Sequence, residues 1–130
     1  MGYVIDYDAT NNILRVTLQD HVTDAALLKA YAAAAKYVAS HGPCRGIWDI
    51  SQATKLDVPI NAIRQIAASP PIIPTGYMRI IVAQEDFVYG LMRMFQMLSD
   101  LTRPDLCVVR TIDEAYRLLR VESPEFSPIN

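Results

Sequence analysis

The sequence predicts one α/β domain built on a mixed five-stranded sheet, with four helices mainly on one face. Two observations carry this expectation. Short strand-like runs alternate with segments of helical periodicity, the signature of a mostly parallel sheet with right-handed crossovers. The first two strand-like runs are separated only by a short polar turn, so the opening pair is an antiparallel hairpin. A length of 130 residues, with 52% hydrophobic and 20% charged side chains, fits one globular unit able to bury a core without staples.

Along the chain, Tyr3 to Tyr7 alternates, with Tyr3, Ile5 and Tyr7 on one side and Val4 and Asp6 on the other. Asp8 to Asn12 is turn chemistry, and Ile13 to Leu18 alternates again. The first helix is expected from Asp24 to Ser40, with Thr23 as its N-cap and a stripe of Leu27, Leu28, Tyr31, Ala34, Ala35 and Val38. Gly42-Pro43 stops it. Arg45 to Ile50 reads as an inner parallel strand. Val58 to Ala68 reads as a second helix with Pro59 in its first turn and Ile60, Ile63 and Ala67 inward.

A stiff proline-rich loop leads to a strand at Met78 to Ala83, then to a helix at Phe87 to Leu101 with Asp86 as N-cap. In that helix Leu91, Met94, Phe95, Leu98 and Leu101 form an inward stripe, with Met92 and Met97 on either side. Leu106 to Arg110 is the last strand. Thr111 and Glu114 form a capping-box pattern opening a helix that runs to about Arg120, with Ala115, Leu118 and Leu119 inward. Residues 1–121 form the domain, and a loose tail covers 122–130. Adding each strand beside the last gives the order 1-2-3-4-5 with strand 1 antiparallel at the edge. Charges within the strands (Arg15, Arg45, Asp49 and Arg79) suggest a sheet open to solvent on one face.

Three stretches resemble the STAS domains, the anti-sigma-factor-antagonist fold, and more closely their SpoIIAA-like relatives. These are Trp48-Asp49-Ile50-Ser51 followed by Asp57, Arg79 to Ala83 running directly into a helix, and Val108 to Ala115. The resemblance spans Ile13 to Leu119. It implies a regulatory or protein-interaction module. In the signalling members a phosphorylatable serine follows an aspartate at the start of the second helix. By spacing, Asp57, Val58 and Pro59 occupy those positions, so the acidic residue is kept and the hydroxyls are replaced. The resemblance therefore implies a module without the usual phosphoserine switch.

The residues offer little chemistry. The two histidines, His21 and His41, lie at the two ends of the first helix, where a structural role suffices. No spacing of Cys, His or carboxylate suggests a metal, no glycine-rich phosphate loop is present, and no cofactor is expected. Asp49, Ser51, Gln84, Glu85 and Asp86 gather near the carboxyl ends of two strands, a common ligand edge, although helix capping and loop solvation explain them as well. Met92 and Met97 widen the apolar arc of their helix. They suggest a ligand or partner surface, unless Tyr116 and Phe126 cover that face.

A net charge of −2 without a basic run gives no reason to expect nucleic acid, and no apolar run is long enough for membrane insertion. The opening residues, Met1 to Asp8, read as a strand rather than a secretory signal. Cys44 and Cys107 are too few for a disulfide framework, and Cys107 reads as a buried small hydrophobe, so a cytoplasmic setting is expected. The leading expectation is a non-enzymatic interaction module that binds another protein or itself, with homodimerisation among the possibilities. The alternative is a carrier or sensor of a small apolar, lipid-like ligand. A small hydrolase using Asp49, Glu85 or Asp86 is the remote third.

Overall fold

The computed structural model describes residues 2–129; Met1, included above in the opening strand, and Asn130, at the end of the tail, lie outside the described residues. The chain forms β1 (Tyr3–Asp8), β2 (Ile13–Thr23), α1 (Asp24–His41), β3 (Arg45–Asp57), α2 (Ile60–Ala68), β4 (Arg79–Val82), α3 (Asp86–Leu98), β5 (Leu106–Val109), α4 (Ile112–Leu119) and β6 (Ser127–Pro128). One mixed sheet has the order β5-β4-β3-β2-β1-β6. β1 is antiparallel to β2 and to β6, and the other neighbours are parallel.

The expected five strands are thus corrected to six. The tail read as loose from Glu122 adds β6 outside β1, so strand 1 is not the edge. Asp8 explains why. It is fully buried, and its Oδ2 accepts a hydrogen bond from the Glu125 N–H at 3.0 Å. Its two oxygens also accept from the Asn11 N–H at 3.0 Å and the Asn11 side-chain amide at 2.7 Å. One carboxylate therefore fixes both the hairpin turn and the tail. Phe126 then stacks on Tyr116 and lies under the Arg15 guanidinium.

Strand alternation sends side chains to two cores. Leu14, Val16, Leu18, Ile50 and Ile81 meet the inner faces of α1, α2 and α3. Ile13, Ile47, Ile80 and Val82 meet α4 and Val121 on the opposite side. Three helices therefore cover one face, and α4 with the tail covers the other. The charged strand residues do not mark an open face. Arg15 pairs with Asp6 at 2.7 Å and donates to the Tyr116 hydroxyl at 2.9 Å. Arg45 donates to the carbonyls of Leu119 and Asn11, both at 2.7 Å, closing the end of α4. Tyr116 and Phe126 cover this side of the sheet, not the methionine-bearing helix.

Several elements differ in extent from the sequence expectation. β3 continues through Asp57 because β2 also continues past Leu18. The two pair as far as Thr23 and Asp57 through two register shifts. This extension has no third strand beside it, so its side chains are mostly exposed or half-buried and carry no apolar pattern. α2 begins at Ile60, with Pro59 as N-cap in extended geometry rather than inside the first turn. α1 seats on the sheet through its small residues Ala30 and Ala34, which turns Leu28 outward.

In α3, Glu85 rather than Asp86 is the N-cap, and the inward residues are Val88, Met92 and Phe95. Leu98 and Leu101, expected inside, are exposed, as are Met97 and, on α4, Leu118. Cys107 is half-buried, while Cys44 is buried. The expected caps are in place at Thr23, whose hydroxyl accepts from the Ala26 N–H, and at Thr111, which accepts from the Glu114 N–H. Gly42 ends α1 at φ 91°, a geometry that disfavours any side chain.

Burial opposes ionisation of Asp8, but the hydrogen bonds from Asn11, Glu125 and Thr10 outweigh it and hold its carboxyl below the ordinary range. A lowered folded pKa stabilises the fold above the unfolded value, about 3.9, and that contribution is lost as the pH falls through the lower folded value. Asp8→Ala is expected to cost about 2–3 kcal/mol in urea unfolding at pH 7, with the gap to wild type narrowing in acid. A gap that does not change with pH would contradict an ionised Asp8.

Candidate apolar cavity with a buried arginine

All four residues of β4, Arg79-Ile80-Ile81-Val82, are buried. The pleat sends Ile80 and Val82 toward α4 and Arg79 and Ile81 toward the three-helix face. There they line a cavity of about 100 Å³ between the sheet and the helices. Leu14 and Trp48 form part of its floor, with Ile63, Met92 and Phe95 above. Apart from Arg79, Arg103, Tyr31 and the Trp48 indole, its lining side chains are hydrocarbon or thioether.

Gly46 makes room for this arrangement. It is the register partner of Leu14 on one side and of Arg79 on the other. A Cβ at Gly46 would sit 2.6 Å from the Ile73 Cδ1, so a larger residue here would displace Ile73 and crowd the cavity.

The two arginines of the wall differ sharply. Arg103 is 5% exposed and well partnered. Its Nη1 donates to the Ala67 carbonyl at 3.1 Å, and its Nη2 donates to the Ile66 carbonyl at 3.0 Å. Nη2 also reaches the Ser69 carbonyl at 3.3 Å and the Tyr31 hydroxyl at 3.2 Å. It thereby bonds to the last carbonyls of α2, of which that of Ile66 also accepts the Ser69 N–H at 3.1 Å. Its guanidinium also lies 5.3 Å from the Phe95 ring centroid.

Arg79 is 6% exposed, and neither its Nε nor either Nη has a hydrogen-bond partner among the described residues. Burial, then the nearby Arg103 charge, lowers the Arg79 pKa, while Asp105 and Tyr31 act in the opposite direction. Asp105 is the acidic group near it, and its Oδ2 accepts the Gly76 N–H at 2.7 Å.

The residues singled out in the sequence fall in several places. Met92 is in the cavity wall, whereas Met97 is exposed. Asp49 is buried on the α4 side of the sheet, where its Oδ1 accepts from the Ser51 N–H at 2.9 Å and the Ser51 hydroxyl at 2.6 Å. Glu85 and Asp86 are exposed; Asp86 pairs with Arg110, which lies over the Tyr89 ring. No hydrogen bond among the described residues joins the Asp49–Ser51 pair to Glu85 or Asp86.

Asp57 makes an exposed pair with His21 at 3.2 Å, a contact that contributes little to stability. Val58 is half-buried against the main core, and Pro59 is the α2 N-cap. His41 stacks on Tyr37 at the end of α1. Among the described residues no group of three His, Cys, Asp or Glu side chains could hold a metal ion, and no helix is long and apolar enough to cross a membrane.

The sequence reading did not select Arg79, Arg103, Gly46, Tyr31 or Trp48 as site residues. A signal for the first was available: a lone arginine in a strand whose other residues are all aliphatic. Compared with family models, curated proteins and solved structures, the chain matches none.

The different partnering of the two arginines gives opposite stability effects. Arg103→Leu takes this partner from the Ala67 carbonyl, leaves that of Ile66 with only the Ser69 N–H, and is expected to cost about 2–4 kcal/mol. Arg79→Leu removes a buried charge that has no hydrogen-bonding partner among the described residues and is expected to leave stability unchanged or raise it. Urea unfolding of both variants checks the pair. A large loss in Arg79→Leu would show that this guanidinium supports the fold.

Proposed function

We propose that this protein is a non-enzymatic, SpoIIAA-like binding domain that houses a small apolar ligand between its sheet and the roof formed by α1, α2 and α3. The observation that carries the reading is the cavity of about 100 Å³, lined by hydrocarbon side chains from every layer of the main core. Protein interiors otherwise pack to crystal density. An engineered apolar cavity of about 150 Å³ takes up benzene, so the space suits a compact ligand rather than a long lipid chain. The catalytic alternative lacks support. Asp49 and Ser51 bond to each other on the other side of the sheet, while Glu85 and Asp86 lie on the surface.

Regulation in this proposal is by occupancy. Val58, at the position of the signalling serine, has no oxygen to accept a phosphoryl group. The SpoIIAA-like assignment draws on a β3 that lies between two parallel neighbours and leads through Val58-Pro59 into α2.

A second reading, a module that pairs with another copy of itself, is favoured by a separate feature. Met97, Leu98 and Leu101 are 68%, 50% and 97% exposed at the end of α3 and in the loop after it. Their apolar surface is the kind that subunit contacts cover.

Trp48 is the only tryptophan of the chain and lines the cavity, so its emission reports occupancy. Titration with 1-butanol is expected to change that emission saturably. Gly46→Ala, which crowds the cavity through Ile73, is expected to weaken the response severalfold. A response that never saturates, or one indifferent to Gly46→Ala, would set the cavity reading aside. For the second reading, sedimentation equilibrium is expected to find a dimer that Leu101→Lys converts to a monomer; a wild-type monomer at the highest soluble concentration would remove it.

A further inference from the structure

Arg79 gives the cavity a chemical preference as well as a shape. A guanidinium carries a permanent charge and five N–H donors in a planar fork. Here it is buried in the cavity wall with Nε and both Nη atoms unpartnered among the described residues. A buried charge without a hydrogen-bonding partner is destabilising.

The neighbouring groups leave it without a direct partner. Arg103 has the same sign, and its donors are engaged by carbonyls of α2 and the Tyr31 hydroxyl. That hydroxyl itself donates to the Pro70 carbonyl at 3.2 Å. Asp105 favours the charged form from a distance but makes no ion pair with Arg79, and its Oδ2 accepts the Gly76 N–H. Beyond the two guanidinium groups, Tyr31 and the Trp48 indole, the wall is hydrocarbon or thioether, and the cavity of about 100 Å³ has room for only a few carbons.

We infer that the cavity's ligand is a short apolar monocarboxylic acid, bound as its carboxylate to Arg79 with its hydrocarbon part among Trp48, Ile63 and Met92. This inference rests on the cavity being a binding site, as proposed above. A carboxylate matches the guanidinium fork with two parallel hydrogen bonds and supplies the one negative charge needed to balance it. The nearby Arg103 charge adds attraction for an anion. A neutral ligand would leave Arg79 uncompensated. Inorganic phosphate would bring more charge and more acceptors than the lone guanidinium satisfies, and nothing to fill the apolar remainder. The size, judged against benzene in a cavity of about 150 Å³, points to an acid of about four carbons, whose six heavy atoms match the number in benzene.

The 130-residue chain can be titrated at pH 7 with butyrate, with butyramide as its neutral counterpart, and with inorganic phosphate, following heat and Trp48 emission. Butyrate is expected to bind at least tenfold more tightly than butyramide, and phosphate to show no saturable binding. Arg79→Gln is expected to bring butyrate down to the affinity of butyramide while leaving butyramide unchanged. Should Arg79→Gln not fold, Arg79→Lys is the substitute, expected to reduce the preference for butyrate because ammonium lacks the fork. Equal binding of butyrate and butyramide, tighter binding of phosphate, or a preference that survives the Arg79 variant unaltered would overturn the inference while leaving the apolar cavity reading in place. Absence of binding by both four-carbon probes would overturn the two together.

Discussion

The arrangement over the main face of the sheet depends on the Arg103 guanidinium. It comes from the loop between α3 and β5, yet it bonds to the last carbonyls of α2 and to the Tyr31 hydroxyl of α1. Three helices that share no hydrogen-bonded ladder are thereby held at one point. The clamp sits at the perimeter of the cavity, so it holds the roof without filling the space below. A buried, charge-assisted set of bonds of this kind also fixes geometry more tightly than hydrocarbon packing, because each donor has a direction.

Beneath that roof, the position of Arg79 follows from register. β4 is short and wholly buried, so any residue in it must face one core or the other. Alternation assigns Arg79 to the three-helix side, and Gly46, its partner on β3, leaves the adjoining position without a side chain. The opposite side shows the reverse treatment of charge. There Arg15, Arg45 and Asp49 each have a hydrogen-bonding partner. The same sheet thus carries satisfied charges on the face closed by α4 and the tail, and an unsatisfied one on the face with free volume. That contrast separates a structural polar group from one positioned for something else.

Much of the alternation of elements was legible in the sequence because it rests on local signals. The hairpin turn at Asp8 to Asn12, the Thr23 and Thr111 caps, and the Gly42 stop are written within a few residues of where they act. What was not legible depends on distant partners. The tail becomes β6 because Asp8, more than a hundred residues earlier, accepts the Glu125 N–H. β3 extends to Asp57 because β2 extends beside it, and a two-stranded ribbon needs no apolar pattern. The α3 stripe holds at Phe95, with Leu91 and Met94 packed against the core, and fails at Leu98 and Leu101, because the apolar residues allow more than one helical face and only the helix's seat on the sheet chooses Met92 over Leu98. Of the site, Met92 was named in advance; Arg79 was read as a sign of an open face, since burial of a lone charge is the less common outcome for a strand.

The outermost strand has its own consequence. β6 contributes two residues to the ladder, and one of them, Pro128, has no N–H to offer. A passing chain that approached this margin would find too few donors in line to build on. The sheet is therefore terminated at that point by chemistry, a safeguard against runaway stacking into fibrils that shelters the β1 backbone at Asp6 and Tyr7.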